Sequence, residues 1–262
     1  MTTEDFIIDL FCRVDDEMRD VPKHSQAQLY PSEAVTLALL FALKGVGNRA
    51  FYRWLERDYK HLFPKLPERT RLFRLFNVHR HWTERFMAAP SMIGVIDTFG
   101  IELIHPRREG RSERQIGKKG KSNGRWIVGG KLCVLLNHIG LVVDWACDTA
   151  NVYDGSAFQA LVDGVADQMV VFSDEAFDKK DWHPSNLKIC KRGEWNTRML
   201  IETVLSMLTT VCHLKKIAHR VWEYFESRLA YTMALFNILV QWYGLTPDED
   251  GYIRLSIAEF SL

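Results

Sequence analysis

Apolar residues recur every three or four positions along the first third of the chain. The first such run holds Phe6, Ile7, Leu10, Phe11 and Val14. This spacing lines one face of an α-helix, so the run is predicted to be helical. The same spacing predicts helices over residues 33–44, 49–63 and 68–87, with Ser32 as the cap of the second helix and Gly45 at its end.

Two helices joined by a short glycine turn and followed by a basic helix resemble a helix-turn-helix arrangement. The basic helix carries Arg69, Arg71 and Arg74 beside its apolar face. We therefore predict that residues 1–89 form a helical DNA-binding region and that these three arginines contact DNA. The same pattern also occurs in many helical bundles.

Near Pro90, short apolar runs replace the helical spacing. These runs predict strands over residues 92–97, continued at 101–103, and over 126–137, 140–149, 169–174 and 187–191. Helical spacing returns over residues 154–165, from about 196 to 213, and from 215 to 244. Strands interleaved with helices in this order predict a mixed α/β domain over residues 90–262, in which helices flank a five-stranded sheet.

The composition is that of an ordinary globular protein, with 47% hydrophobic and 26% charged residues, which excludes disordered and collagen-like chains. The five cysteines are scattered and form no metal-binding motif, which indicates reduced thiols in a cytoplasmic protein. The acidic start of the chain is unlike a signal peptide. An uncharged stretch over residues 229–247 is long enough to span a membrane, but its polar residues, Gly244 and Pro247 favour a buried helix.

Charge is segregated along the chain although the net charge is only +1. Residues 105–131 hold nine basic and two acidic residues, and residues 44–85 hold eleven basic and four acidic ones. Residues 143–181, which follow both basic segments, hold nine acidic and two basic residues. Basic blocks beside an acidic one suit a protein that binds phosphates and a divalent metal. Solvated surfaces of ordinary proteins also carry such charge.

Three carboxylates stand out from their apolar surroundings. Asp97 and Asp174 come at the ends of predicted strands, where α/β proteins place their chemistry. Glu202 lies on the polar stripe of a largely apolar helix, one turn after Arg198. Each acid alone could be an ordinary surface or ion-paired residue. Together, on two strands and a helix, they could converge on a pair of divalent metal ions, because Mg²⁺ prefers carboxylate oxygens and two such ions can drive phosphodiester cleavage.

The order Asp97, Asp174, Glu202 over these elements resembles the DDE transposases of bacterial insertion sequences, whose catalytic domain is RNase H-like. Trp195, Arg198, Glu202 and Thr209 match the spacing of a signature of that family, aromatic-x2-Arg-x3-Glu-x6-Lys. Trp195 stands where Tyr is usual, and Thr209 stands where Lys is usual. The missing lysine puts its DNA contact in doubt or moves it to Lys215 or Lys216.

Two further segments carry the resemblance. The motif Asn-Val-Tyr-Asp at residues 151–154 looks like an Asn-x-x-Asp motif of these enzymes, and residues 49–75 are similar to the leading region of one insertion-sequence group. The resemblance therefore extends over nearly the whole chain.

The resemblance implies an enzyme that cuts DNA at the ends of its element and joins the freed 3′-hydroxyl to target DNA. Asp97, Asp174 and Glu202 would hold two Mg²⁺ ions, with Mn²⁺ as a substitute. Arg198 would contact a phosphate or orient Glu202, or simply form an i,i+4 ion pair with it. The implied partner is double-stranded DNA, comprising the terminal inverted repeats and the target, bound by a homodimer in the cytoplasm and without a membrane. A basic, glycine-rich loop over residues 105–125 would hold the DNA backbone through Arg107, Arg108, Arg111, Lys118, Lys119, Lys121 and Arg125.

Two other functions stay open at this point. The chain could be an RNase H-like nuclease that cuts without joining, or a catalytically inactive DNA-binding descendant of such an enzyme. The presence of all three acids argues against the inactive descendant.

Overall fold

The computed structural model describes the chain except residues 123, 192–197, 216, 218, 248, 250–252, 254 and 261, and the side chain of Arg198. Its first third contains α1 (Thr3–Glu17), α2 (Pro31–Lys44), α3 (Asn48–Asp58) and α4 (Arg69–Val78), followed by a 3-10 helix (Arg80–Phe86). These helices lie where apolar spacing predicts them. The segment predicted as one helix over residues 68–87 instead changes from α to 3-10 geometry after Val78.

The start of α2 differs from the prediction, because Ser32 lies inside the helix. Pro31 is its first residue, and the backbone N–H of Tyr30 donates to the Glu33 carboxylate at 2.6 Å. The Ser32 hydroxyl donates instead to Asp15 at 2.6 Å and so links α2 to α1. The predicted end of α2 is confirmed, since Gly45 adopts a left-handed conformation with φ of 66°.

The second part of the chain forms one mixed sheet. Its strands are β1 (Ile93–Ile104), β2 (Lys118–Ser122), β3 (Arg125–Asn137), β4 (Val142–Thr149), β5 (Val170–Ser173) and β6 (Leu187–Ile189). The order across the sheet is β4-β3-β1-β5-β6, in which β3 is antiparallel to its neighbours and β5 and β6 run parallel to β1. These five strands are the predicted ones, and the mixed α/β architecture is consistent with the RNase H-like fold expected for residues 90–262.

The sheet has six strands rather than the five predicted. The additional strand, β2, lies within the segment predicted to be a basic loop, and it pairs antiparallel with residues 125–129 of β3. Its sequence, Lys-Lys-Gly-Lys-Ser, has no apolar alternation that would signal a strand. The strand forms because its backbone completes the hydrogen bonding along the first half of β3.

Alternation along β1 divides the sheet into two faces. On the front face Val95 and Ile101 join a core built with α7 (Arg198–Thr210) and α8 (Trp222–Val240). On the back face Ile96 packs in a smaller core with α6 (Gln159–Asp163), which follows the one-turn helix α5 (Asp154–Ala157). The helix predicted over residues 154–165 is therefore two short helices.

The helix α8 is buried along most of its length, as predicted for the uncharged stretch near the C-terminus. It packs against α2, α4, the 3-10 helix and β4. Within the part of the chain that the structure describes, no single helix is long and apolar enough to cross a membrane. The helices α2 and α3 taken together have the required length and composition, but they are bent by 116° relative to each other.

One continuous core runs through the N-terminal helices, α8 and the front of the sheet. The division into residues 1–89 and 90–262 stays a prediction, and α8 belongs structurally to both parts.

Candidate active site

The site begins with two aspartates at equivalent positions relative to a parallel pair of strands, Asp97 on β1 and Asp174 directly after β5. Val95 of β1 pairs with Phe172 of β5, and Asp97 and Asp174 each follow two residues later. Since neighbouring strands lie about 4.8 Å apart, this register brings the two carboxylates next to each other. The sequence analysis predicted both aspartates at the ends of strands. The strand β1 instead continues to Ile104, and only its pairing with β5 ends near Asp97.

Asp97 lies on the front face by alternation along β1, and Asp174 follows the neighbouring end of β5. Asp97 is two residues from Val95 on β1, and side chains two apart share a face. Both carboxylates are half-buried and are held by local backbone donors. Asp97 accepts from the N–H of Thr98 at 2.7 Å, and Asp174 accepts from the N–H of Ala176 at 2.9 Å. These bonds fix the side chains at the edge of the front face.

The third acid, Glu202, lies on the helix that covers this face. Ile201, Val204 and Leu208 of α7 are buried in the front core, and Glu202 is exposed beside them. A Cβ added at Gly140, in the turn after β3, would touch Leu200 at 3.0 Å. Near the C-terminal end of α7, Thr209 lines the same pocket as Phe99 of β1. The helix therefore runs along β1 in the same direction, and Glu202 lies over the half of the strand that contains Asp97.

The chemistry of these donors suits a hard divalent cation, since all three are carboxylates. Among the described residues, however, no group of three His, Cys, Asp or Glu side chains is close enough to hold a metal ion. The strand register thus brings Asp97 and Asp174 together, and Glu202 stays a candidate on the covering helix rather than a member of a formed cluster.

The back face supports the site through an ion pair that the sequence analysis missed. Lys131 of β3 donates to Asp154 at 2.5 Å and to the carbonyl of Val152 at 2.9 Å. The other oxygen of Asp154 accepts from the Thr98 hydroxyl at 2.7 Å. The Asp154 of the Asn-x-x-Asp motif therefore anchors the residue next to Asp97. A lysine within the apolar run of β3 was the signal that could have revealed this pair.

A pocket of about 380 Å³ lies between β1, the start of β3 and the C-terminal end of α7. Its wall contains Phe99, Arg125, Trp126, Thr209 and Lys215. The Trp126 side chain is 60% exposed, and Lys119 lies 5.7 Å from the centre of its ring. Because Thr209 and Lys215 line the same pocket, Lys215 can place its ammonium group near the position where the family signature has lysine.

The other residues proposed to bind DNA are on the surface. In the basic segment the exposed residues are Arg107, Arg108, Arg111, Lys118, Lys119, Lys121 and Arg125. On α4, Arg71 and Arg74 are exposed and Arg69 is half-buried, opposite the buried Leu72 and Phe76. Trp195 and Lys216 lie outside the described residues, and of Arg198 only its position at the start of α7 is described.

In a comparison with protein families, residues 89–188 match the transposase DDE domain. The matched segment contains Asp97 and Asp174 and ends before Glu202. No curated protein matches the chain. The match confirms the resemblance drawn from the acids and the strand order.

Proposed function

We propose that the protein is the transposase of a bacterial insertion sequence, and the match of residues 89–188 to the transposase DDE domain supports this proposal. It cuts DNA at the ends of its element and transfers the 3′-hydroxyl into target DNA. The observation that carries the proposal is the pairing of Val95 with Phe172 on the parallel strands β1 and β5, which is followed two residues later by Asp97 and Asp174, inside the matched segment.

Three carboxylates would hold the metal, namely Asp97, Asp174 and Glu202. Two Mg²⁺ ions, or Mn²⁺ in their place, supply positive charge to the attacking and leaving oxygens when bound. The protein's part is to hold the carboxylate oxygens of these three residues on a rigid frame. The Asp154–Lys131 pair holds β1 in place from behind, and Ile201 and Val204 fix α7 on the front core.

DNA binding is proposed for the positive surface around this frame. The exposed arginines and lysines of residues 107–125 can neutralise backbone phosphates. In the pocket lined by Phe99 and Thr209, Arg125 and Lys215 supply charge and Trp126 supplies a stacking surface. Lys215 takes the role that the family signature gives to lysine, and Arg198 contacts a phosphate or orients Glu202. On the N-terminal region, Arg69, Arg71 and Arg74 bind DNA from α4.

Transposition joins two element ends, so we expect a homodimer on DNA with one active site for each end, acting in the cytoplasm. The mass of the complex with paired ends, measured by light scattering, should correspond to two protomers. A single protomer per paired-end complex would contradict the dimer.

The proposal is tested by incubating the protein and Mg²⁺ with DNA that carries the element's ends. Wild type should cut and join, whereas Asp97→Asn and Asp174→Asn should lose both reactions by orders of magnitude and still bind DNA. Glu223→Gln, at an exposed position of α8 away from the site, is the matched control and should react normally.

The alternative functions predict different results in the same assay. Cutting without joining would identify a nuclease. DNA binding without cutting in Mg²⁺ or Mn²⁺ would identify an inactive descendant.

A further inference from the structure

Arg228 of α8 is a buried cation that forms no ion pair with a carboxylate among the described residues. Its side chain is only 6% exposed, and its Nε is buried without a hydrogen-bond partner. Its Nη2 donates a hydrogen bond to the carbonyl of Ala42 at 2.9 Å, and its guanidinium lies 4.7 Å from the centre of the Phe41 ring.

A buried charge without a counter-charge is costly, and proteins normally pair it or neutralise it. Burial lowers the pKa of Arg228 to about 10, so the guanidinium remains charged at neutral pH. The described carboxylates do not supply a counter-charge, and the space beside Arg228 can hold an anion that does.

Arg228 lines a cavity of about 150 Å³ between α8 and the turn that joins α2 to α3. His213 and His219 line the same cavity. Burial lowers the pKa of both imidazoles, to about 4 for His219. Both rings are therefore neutral at pH 7, and each has one N–H to donate.

The opposite wall is the N-terminus of α3. Gly47 precedes the helix and makes no side-chain capping bond, and the first helical hydrogen bond is donated by Phe51. The N–H groups of residues 48–50 therefore have no partner within the helix and form its positive end. Gly47 and Asn48 are exposed, so this wall of the cavity is open to a ligand from solvent.

We propose that this cavity binds a backbone phosphate of DNA. The α3 N–H groups, Arg228 and the two imidazoles surround one anion with donors, as at other helix N-termini that bind phosphate. A duplex phosphate can reach the cavity because the turn is at the surface, where Arg49 is also exposed. This inference rests on the proposed function and adds a contact that ties the N-terminal helices and α8 to the same DNA.

The test uses Gly47→Asp in the full-length protein. A Cβ at Gly47 meets nothing within 4 Å, and its φ of −73° suits any residue. The new carboxylate caps the α3 amides itself, which should preserve the fold while it excludes the phosphate. Gly47→Ala fits the same space without charge and is the matched control. Arg228→Met removes the cation from the other side of the cavity.

We expect Gly47→Asp to weaken DNA binding about tenfold at low salt and to reduce the slope of log K against log salt by about one. Gly47→Ala should bind as wild type does. In NMR titrations without DNA, inorganic phosphate should shift the amide signals of residues 48–50 in wild type and Gly47→Ala, but not in Gly47→Asp or Arg228→Met.

Equal DNA binding by wild type and Gly47→Asp would overturn the proposal. If inorganic phosphate still shifted the amide signals in that case, the ligand of the cavity would be a free anion and not DNA. An absence of amide shifts in wild type would overturn it as well. A wild type that binds no DNA would contradict the proposed function itself, and this outcome is distinct from the other two.

Discussion

At the scale of single residues, Asp154 explains how the protein holds Asp97 in place. Its carboxylate accepts hydrogen bonds from Lys131 and Thr98, and the Lys131 and Asp154 side chains are only 13% and 9% exposed. The sequence pointed to Asp154 through a motif, and the lysine in the apolar run of β3 indicated a buried charge but not which carboxylate it meets. The pairing of the strands decides which charged side chains meet on the back face of the sheet. The pairing of β3 with β1 could not be predicted from the sequence of either strand alone.

Replacing Asp154 by Ala should lower the free energy of unfolding by about 3–5 kcal/mol, because Lys131 would stay buried without a counter-charge. The measurement is equilibrium unfolding in urea. The double variant Lys131→Met/Asp154→Leu should recover most of the loss, since it removes both charges and keeps the volume apolar. A loss below about 1 kcal/mol in Asp154→Ala would contradict this role for the pair.

At the scale of elements, apolar periodicity predicted the helices and five strands because their buried sides are apolar. It failed at β2, where three of the five residues are lysines, and at residues 154–165, where the chain forms two short helices. In β2 the buried residue is Gly120, and a Cβ there would overlap the carbonyl oxygen of Ala150. A glycine required for close backbone approach leaves no apolar pattern for sequence analysis to detect.

The substitution Gly120→Ala should therefore lower the free energy of unfolding by about 1–3 kcal/mol, as overpacking does. Lys119→Ala, at the neighbouring exposed position of β2, should change it little. Thermal unfolding of both variants, followed by circular dichroism, checks the difference. Equal melting temperatures in the two variants would show that β2 is not packed against the segment after β4.

At the scale of the whole molecule, α8 joins the two predicted parts of the chain. Asn237 is fully buried. Its side-chain carbonyl accepts a hydrogen bond from the N–H of Val142 at 2.8 Å, and its NH₂ group donates to the carbonyls of Val142 and Phe86, both at 2.8 Å. The sequence identified α8 as a buried helix but assigned it to the catalytic part alone. Its apolar residues surround the helix, so the pattern could not show which neighbours cover which side.

Because one core runs through both parts, we expect the protein to unfold in a single cooperative transition. Calorimetry should give a ratio of calorimetric to van't Hoff enthalpy near one. A fragment of residues 90–262 should fail to fold, since it would expose the side of α8 that packs on α2 and α4. Two separate transitions, or a stably folded fragment, would contradict this expectation.

The central claim is that α7 supplies the third carboxylate to the two aspartates on β1 and β5. The most direct measurement is the single-turnover rate of cutting and joining by Glu202→Gln in Mg²⁺, on DNA with the element's ends, with DNA affinity measured alongside. If Glu202 is a metal ligand, both reactions should fall by orders of magnitude while DNA affinity stays close to that of wild type. A variant that cuts and joins at the wild-type rate would show that Glu202 is not a metal ligand and would contradict the account.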